Sequence, residues 1–265
     1  MITNTFSIFP GIGPRLEHYL WRLGVLTWED FLSREHIPGF SPSRKPLLDI
    51  YVAAALLQWE SRNYHYFSRL LGTSGMWRLW ETLNENALFL DIETDGRKVS
   101  EGELTVVGFY SHGEYRAYIN GQNLDCDSLQ QEFDDARLLV TFSGNTFDIP
   151  YLKAYYPELA IDLPHIDLCP TGHKIGLKGG LKKVEKEIGI SREDGIDGMG
   201  GYEAVLLWRA HQNNIAGALD TLVKYNREDT VNLLPLTRII CDKLKENSGI
   251  AGFMANRPAL AATLL

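Results

Sequence analysis

The sequence is poor in cysteine and has no apolar run long enough to span a membrane. Its 265 residues include three cysteines, Cys126, Cys169 and Cys241, which are far apart and odd in number. This argues against a disulfide framework and fits a reducing compartment, so we expect a cytoplasmic protein. The apolar stretch at residues 51–59 is too short to cross a bilayer, and residues 1–13 lack the basic and apolar regions of an export signal. We therefore expect no membrane as a partner.

The chain also lacks an excess of positive charge. Its formal net charge is −8, which argues against indiscriminate nucleic-acid binding but leaves room for a local basic track. Residues 1–86 hold eight basic and eight acidic residues, so the excess of acid falls in residues 87–265, with 18 basic and 26 acidic residues. The sequence also changes from helix-like to strand-rich near Asn86. We therefore expect a domain boundary after residue 85.

Strand and helix patterns follow one another after that boundary. Predicted strands cover residues 87–93, 104–111, 114–119, 138–143 and 163–168. Predicted helices cover residues 128–136, 146–156, 177–190, 201–213 and 214–246, the last of them broken near Tyr225. His112 and Gly113 form the expected hairpin turn between two strands. This order predicts an α/β fold with a mixed β-sheet flanked by helices.

The strand at residues 87–93 ends in clustered negative charge. Asp91 and Glu93 are two residues apart, so they project to the same face of the strand while Ile92 points to the core. Two adjacent carboxylates repel each other unless a proton or a cation lies between them. The alternative is a solvated strand end whose acids simply face water.

A second acid follows the strand at residues 138–143. The segment TFSGNTFDIPYL places Asp148 in the first turn of the next helix, with Asn145 in the preceding turn. Acids are favourable at helix N-termini, so a capping role for Asp148 is the alternative to a functional one.

A third stretch, YNREDTVNLLPL, lies in the last predicted helix. Tyr225 and Asp229 are four residues apart and therefore share a helix face. The alternative is the polar edge of an amphipathic helix, but Asp229 is followed by the apolar residues Val231, Leu233 and Leu234. That environment is unusual for a merely solvated acid.

Taken together and in this order, the three stretches resemble the motifs of the DEDD exonuclease superfamily, which has a ribonuclease H-like fold. Its motifs match Asp91-Ile92-Glu93, Asn145-Thr146-Phe147-Asp148 and the Tyr225-to-Asp229 spacing, which is that of the tyrosine branch. The segments look most like those of bacterial stand-alone ribonuclease H-like proteins. The resemblance covers roughly residues 86–240 and includes all four acids and the tyrosine.

The resemblance implies a metal-dependent 3′→5′ exonuclease that acts on the 3′ end of DNA or RNA. Oxygen ligands suit Mg²⁺ or Mn²⁺, and the family uses two such ions about 3.5–4 Å apart. Asp91 would bridge both ions, Glu93 and Asp229 would complete the first, and Asp148 would hold the second. Tyr225 would orient the attacking water. The product would be a nucleoside 5′-monophosphate.

Other residues are candidates for contacting the substrate. Thr94 follows the first motif, Asn145 belongs to the second, and Asp167 ends a predicted strand and can line the cleft. A buried or capping aspartate is an equal alternative for Asp167. The segment at residues 173–186 carries five lysines, among them Lys178 and Lys182, and is the best local track for phosphates; a solvated helix face is its alternative.

The N-terminal residues 9–32 resemble a helix-hairpin-helix element. Gly11 and Gly13 allow a tight turn whose N–H groups can meet a phosphate, and Pro14 suits the first position of a helix. Such elements bind nucleic acid through its backbone, whereas a purely structural hairpin is the alternative. The predicted organisation is a helix-hairpin-helix-like element at 1–45, a helical connector at 46–85, a ribonuclease H-like exonuclease domain at 86–246 and a C-terminal tail at 247–265.

Three other functions remain open. A phosphatase with a strand-end D-x-D nucleophile is disfavoured, because the second acid here is Glu93 and no downstream lysine motif is evident. A non-catalytic nucleic-acid-binding or scaffold protein is compatible with the fold, although the complete acidic set argues against it. A structure-specific endonuclease is compatible as well, since one fold supports several functions.

Overall fold

The computed structural model describes residues 1–256 apart from Asp194 and Asp197. The chain forms two compact units. The first comprises residues 1–82 together with the segment that starts at Cys241, and the second comprises residues 83–240. The part of the predicted tail at 257–265 lies outside the described residues; the rest of it belongs to the first unit.

Short helices build the first unit. They are α1 (Pro14–Arg22), α2 (Trp28–Leu32), α3 (Arg44–Glu60) and α4 (Tyr64–Gly75), which is interrupted at Gly72, and, after the second unit, α13 (Ile250–Ala255). Helices α5 (Trp80–Leu83) and α12 (Leu233–Ser248) run across the two unit boundaries. Trp77 and Trp80 are buried.

Aromatic side chains fill the core of the first unit. Trp21 and Trp28 are fully buried, and their indole N–H groups donate to the carbonyls of Asn4 and Thr5, both at 3.0 Å. Trp28 also stacks on Phe67 with ring centroids 5.6 Å apart. Large aromatic surfaces thus leave water without stranding a polar atom, which is the usual condition for burying tryptophan.

The turn before α1 has the predicted backbone. Gly11 has a φ of +72°, and its carbonyl accepts a hydrogen bond of 2.7 Å from Arg44. Gly13 precedes the helix as N-cap and Pro14 occupies its first turn, as expected from sequence. A three-residue 3₁₀ segment, Ile2–Asn4, lies N-terminal to the turn.

A mixed sheet forms the centre of the second unit, which confirms the predicted α/β class. Among the described residues its strands are β1 (Ala87–Thr94), β2 (Leu104–Ser111), β3 (Glu114–Ile119), β4 (Leu138–Thr141) and β5 (His165–Asp167). Their order is β3-β2-β1-β4-β5, with β2 antiparallel to both neighbours and β1, β4 and β5 parallel. His112 and Gly113 both have positive φ and make the predicted hairpin turn.

Helices flank this sheet. They are α6 (Cys126–Asp135), α7 (Asp148–Tyr155), α8 (Leu168–His173), α9 (Leu181–Ile188), α10 (Gly201–Gln212) and α11 (Ala218–Val231). The predicted break near Tyr225 is wrong, because α11 continues through that residue and ends at Val231. The chain turns instead at Asn232, just before Pro235, which lacks an N–H and is tolerated in the first turn of the next helix.

The faces of β1 have different partners. Leu90 and Ile92 belong to an apolar cluster that also contains Phe133 of α6 and Leu152 of α7. Burying an aliphatic side chain of this kind stabilises the fold by about 1.5–3 kcal/mol. Tyr225 of α11 belongs to a second cluster. Strand alternation therefore anchors β1 on α6 and α7 while Asp91 and Glu93 are presented towards α11.

Candidate active site

Three carboxylates converge where β1 meets α11. Asp91 and Glu93 come from the end of β1, and Asp229 comes from α11, one turn after Tyr225. One oxygen from each of the three acids lies within 4.8 Å of the others. All three acids and Tyr225 line a cavity of about 380 Å³. The structure thus brings together acids that are far apart in the sequence.

Asp148 lies close to this group but outside it. It is 3% exposed at the start of α7, and its Oδ1 accepts a hydrogen bond of 3.2 Å from the backbone N–H of Ile92. Burial raises the pKa of Asp148 to about 7, and the charges of Asp167 and Asp229 add to the shift. Asp148 lies in the first turn of α7, where an acid is favourable. Its hydrogen bond to Ile92 connects this end of the helix to β1.

The acids destabilise each other's charge. Burial raises the pKa of Asp91 well above its usual range, and the negative charges of Asp229, Glu93 and Asp148 raise it further. Burial and Asp229 do the same to the pKa of Glu93. Such a group must take up protons or bind cations to remain buried.

This donor set fits a hard divalent cation. The carboxylates offer only oxygen ligands, and the ion pair of Asp229 with Arg192 balances only part of their negative charge. Mg²⁺ and Mn²⁺ prefer such ligands and would relieve the repulsion. The carboxylate cluster could therefore hold metal, and the residues present fit that group.

Arg192 is a neighbour of Asp229 that the sequence motifs do not reveal. Its side chain is 4% exposed and makes ion pairs with Asp229 and, at 2.7 Å, with Glu185. Burial opposes the charge of the guanidinium, but the two carboxylates outweigh it and raise the pKa of Arg192. Arg192 thus compensates part of the negative charge, shared between two acids.

Tyr225 contacts a lysine. Lys182, from the first turn of α9, donates a hydrogen bond of 2.6 Å to the Tyr225 hydroxyl and another to the carbonyl of Met199. Burial and the nearby charges of Asp229 and Glu93 raise the pKa of Tyr225 well above its usual range. The tyrosine is therefore a neutral phenol at physiological pH. Lys182, predicted to contact substrate, has its amine beside the cluster.

Asn226 supports Asp91 from α11. Its amide N–H₂ donates a hydrogen bond of 2.9 Å to Oδ2 of Asp91. Its Oδ1 accepts a hydrogen bond of 2.8 Å from the hydroxyl of Tyr115. Asn226 is fully buried and reaches Asp91 across Gly108, which pairs with Asp91 in the sheet register. A Cβ at position 108 would collide with Oδ1 of Asn226. The missed signal was a buried asparagine directly beside the tyrosine of the third motif.

Asp167 fixes the backbone that leads to Asp148. Its Oδ1 accepts from the N–H groups of Ser143 at 2.8 Å and Cys169 at 3.1 Å, and its Oδ2 accepts from the N–H of Asn145 at 3.1 Å. Ser143 has a φ of +66°, so the turn needs this support. Asp167 thereby serves as the cap of α8.

His165 supports the same turn. Burial lowers its pKa to about 4, so the ring is neutral near pH 7. Thr141 donates its hydroxyl hydrogen to Nε2 at 2.8 Å, and Nδ1–H donates to Oδ1 of Asn145 at 3.2 Å. Asn145, predicted to contact substrate, therefore has its side-chain oxygen engaged by His165.

The remaining predicted site residues lie in different places. Thr94 lines the cavity of the acids, and its hydroxyl accepts from the N–H of Gly96 at 3.3 Å. Lys178 is exposed in the segment between α8 and α9. Gly11 and Gly13 belong to the first unit. The roles of these residues remain predictions.

Comparison with known families agrees with this architecture. A family model described as the RNase_H superfamily matches residues 88–241, which is more than half of the chain and includes all four acids and the tyrosine. This chain belongs to the RNase_H superfamily. Membership confirms the ribonuclease H-like fold and supports a nuclease-type function, and it places the carboxylate cluster within the matched domain.

Several solved structures resemble this RNase_H superfamily member. A family B DNA polymerase from Pyrobaculum calidifontis is 16% identical, with a TM-score of 0.47 over 58% of this chain, and the match spans 24% of the polymerase. Brucella melitensis NrnC bound to pGG is 17% identical, with a TM-score of 0.47 over 68% of this chain and 84% of NrnC. A chain described as the apo form of the nuclease is 19% identical, with a TM-score of 0.46 and the same coverage.

Two further comparisons are negative. No curated protein sequence matches this RNase_H superfamily chain. Within residues 1–256, with 194 and 197 left aside, no helix is long and apolar enough to cross a membrane.

Proposed function

We propose that this chain is a metal-dependent 3′→5′ exonuclease that hydrolyses phosphodiester bonds of DNA or RNA. The observation that carries the proposal is the cluster of Asp91, Glu93 and Asp229 on one oxygen-lined cavity, with Asp148 held against the same strand. The resemblance to the tyrosine-branch DEDD motifs supports the proposed direction of digestion and the proposed product, a nucleoside 5′-monophosphate.

In this proposal the four acids are the metal ligands. Asp91, Glu93, Asp148 and Asp229 would hold Mg²⁺ or Mn²⁺, which when bound would lower the pKa of a water and neutralise charge on the phosphate. Asn226 fixes the carboxylate of Asp91, so that it faces the cavity in one orientation. Outer partners of this kind tune both the position and the basicity of a ligand.

Tyr225 positions a water by hydrogen bonding. A phenol whose pKa is raised cannot act as a base near pH 7, so orientation is the role left to it. The amine of Lys182 donates to the phenol oxygen, and the phenol hydrogen is directed to Asp229, so both partners hold the hydroxyl at the edge of the cavity. Lys182 therefore fixes the orientation of Tyr225 and adds positive charge beside the reacting phosphate.

The N-terminal element has a supporting role in the proposal. In support, Gly11 has a positive φ and Gly13 is the N-cap of α1, and a helix start of this kind is able to meet a phosphate. A helix-hairpin-helix-like contact would hold the nucleic-acid backbone without reading its sequence. The division at residues 45, 85 and 246 belongs to this proposal as well.

Digestion of end-labelled oligonucleotides tests the function. Matched DNA and RNA, single- and double-stranded, are labelled at either end and incubated with Mn²⁺ or with EDTA. We expect shortening from the 3′ end, release of 5′-monophosphates and loss of both in EDTA. Internal cuts would support the endonuclease instead. Binding that persists without any cleavage in Mn²⁺ would replace the proposal with the non-catalytic scaffold.

A further inference from the structure

A second cavity lies between α9 and the segment that follows it. Its volume is about 590 Å³. We call it the basic cavity; its lining includes Lys182, Lys183, Lys186, Glu185 and Arg192. Four of these side chains are cations and one is an acid. The basic cavity therefore differs in charge from the neighbouring cavity of the catalytic acids.

The positive charge of the basic cavity is not consumed by its own acid. Glu185 is already paired with Arg192 at 2.7 Å. Lys183 and Lys186 are exposed, and neither makes an ion pair with any residue that the structure describes. Two cations thus remain available to an anionic ligand.

Arg192 provides a second, independent indication. Its guanidinium is 4% exposed, with Nε bound to Glu185 and Nη2 close to both Glu185 and Asp229. Its Nη1 is buried and has no hydrogen-bond acceptor among the described residues, although Arg192 lines the basic cavity. A buried donor without an acceptor is costly, so an acceptor supplied by a ligand in the cavity would relieve it.

Phosphate is the anion that fits these donors. A guanidinium presents a planar fork that matches phosphate oxygens, and lysines add compact charge around it. The cavity is also next to the chemistry, because Lys182 contacts Tyr225 and Arg192 contacts Asp229. A phosphate bound here would be separated from the catalytic acids by the side chains of Lys182 and Arg192.

We propose that the basic cavity binds a backbone phosphate of the substrate strand, adjacent to the phosphate that is cleaved. Arg192 is its central ligand, and Lys183 and Lys186 surround it. This inference rests on the proposed function, since it names a subsite for that substrate. It assigns to Arg192 a bridging role between substrate and Asp229, so that a correctly placed strand is sensed at the carboxylate cluster.

The double variant Lys183→Ala/Lys186→Ala tests the subsite without disturbing buried groups. Binding of a 5′-fluorescein hexanucleotide, as DNA and as RNA, is measured by anisotropy in EDTA, so that neither metal nor cleavage is needed. The matched control is Lys153→Ala/Lys243→Ala, which removes the same charge from exposed positions on α7 and α12. We expect the test variant to bind about tenfold more weakly than the control at low salt, and the salt slope to fall by about 0.7 for a lost phosphate contact.

Modified oligonucleotides identify the phosphate. Replacing a single internal phosphodiester with an uncharged methylphosphonate, position by position, should abolish the difference between test and control variants at one position only. If a 5′-phosphate on a dinucleotide produces the whole difference instead, the bound group is a terminal phosphate and the backbone assignment is wrong. Equal affinities and equal salt slopes of test and control variants would overturn the subsite altogether.

Arg192→Lys gives an independent measurement. It keeps the charge next to Glu185 and Asp229 but loses the fork, so we expect it to weaken binding of the intact oligonucleotide and to have no effect on the methylphosphonate analogue. Failure of the exonuclease proposal is recognised separately, as absence of cleavage in Mn²⁺ while the lysine-dependent binding persists. Cleavage by wild type together with unchanged binding in all variants would reject the subsite alone.

Discussion

Glu17 in the first unit and Asp229 in the second are both acids with little solvent exposure, but their surroundings differ. Glu17 is 2% exposed; its Oε1 accepts from the N–H groups of Phe6 at 2.7 Å and Ser7 at 2.9 Å, and Arg78 lies 3.5 Å from Oε2. Asp229 lies beside two further carboxylates, and its ion-pair partner, Arg192, is shared with another acid, Glu185. Burial of an acid is therefore not itself a sign of function; a group of acids that repel one another and share too little positive charge is.

The largest expected effect comes from replacing each of the two acids with its amide, because only one of the two replacements should abolish cleavage. Asp229→Asn should reduce cleavage by more than the about 10–100-fold typical of losing an outer partner of a metal ligand, while the protein remains folded. Glu17→Gln should lower the free energy of unfolding by about 1–3 kcal/mol, because the amide still accepts from Phe6 and Ser7 but without the charge, and Arg78 loses its ion-pair partner. Its activity per folded molecule should be unchanged. Initial rates and urea denaturation of both variants measure the two effects, and the assignment fails if Asp229→Asn retains full activity.

Asn226→Ala should have the next largest effect. Without the amide, Asp91 loses its 2.9 Å hydrogen bond and its fixed orientation, so we expect about 10–100-fold slower cleavage or weaker metal binding. Calorimetric titration with Mn²⁺ and single-turnover rates separate these possibilities. Tyr115→Phe, which removes only the hydroxyl that donates to Asn226, is the milder companion. If both variants match wild type in rate and in metal affinity, Asn226 is merely structural.

Tyr225→Phe should be milder still. The phenol is neutral and contributes hydrogen bonding, so we expect a rate decrease on the order of tenfold with little change in metal affinity. Single-turnover cleavage at saturating Mn²⁺ measures it. A loss as large as that of Asp229→Asn would contradict an orienting role.

The smallest expected effect concerns pH and the metal-free protein. Asp91, Glu93 and Asp148 have raised pKa values in the folded state, that of Asp148 being about 7. Their contribution to stability is therefore complete below the unfolded values near pH 4 and is lost as pH rises through the folded values. In EDTA we expect the free energy of unfolding to fall by about 1 kcal/mol or more between about pH 5 and pH 8 on account of these groups.

The comparison with Asp148→Asn isolates that effect from other titrating groups. The decrease should be smaller in this variant, and Mn²⁺ should restore stability at the higher pH in wild type but less in the variant. Parallel pH profiles of wild type and variant would mean that the acids do not repel one another as the geometry indicates.

The sheet and its acids were accessible from sequence because strand alternation places Asp91 and Glu93 on one face and Ile92 on the other, as observed. Short-range patterns also gave the hairpin turn at His112 and Gly113. The predicted helix break near Tyr225 was wrong, because the interruption lies at Asn232, just before Pro235. The hydrogen-bonded chain from Tyr115 through Asn226 to Asp91 joins three distant segments, so local pattern could not reveal it.

The role of Arg192 could not be predicted from the sequence for a related reason. Its position follows a helix end at Gly189, and nothing in the neighbouring residues indicates whether its side chain turns to solvent or inward. The inward orientation is seen only in the fold, where the ion pair of Arg192 with Asp229 joins the segment after α9 to α11. Lys182 was predicted to contact substrate, whereas its hydrogen bond to the tyrosine depends on the same packing.

The absence of a side chain at Gly108 leaves the space through which Asn226 reaches Asp91. Alanine there would place its Cβ against the side chains of Asn226 and Thr230, so Asn226 would have to leave its position beside Asp91. The sheet ladder itself would be untouched. Gly108→Ala would thus give a folded protein with little nuclease activity, suitable for isolating a complex with an uncleaved nucleic-acid strand.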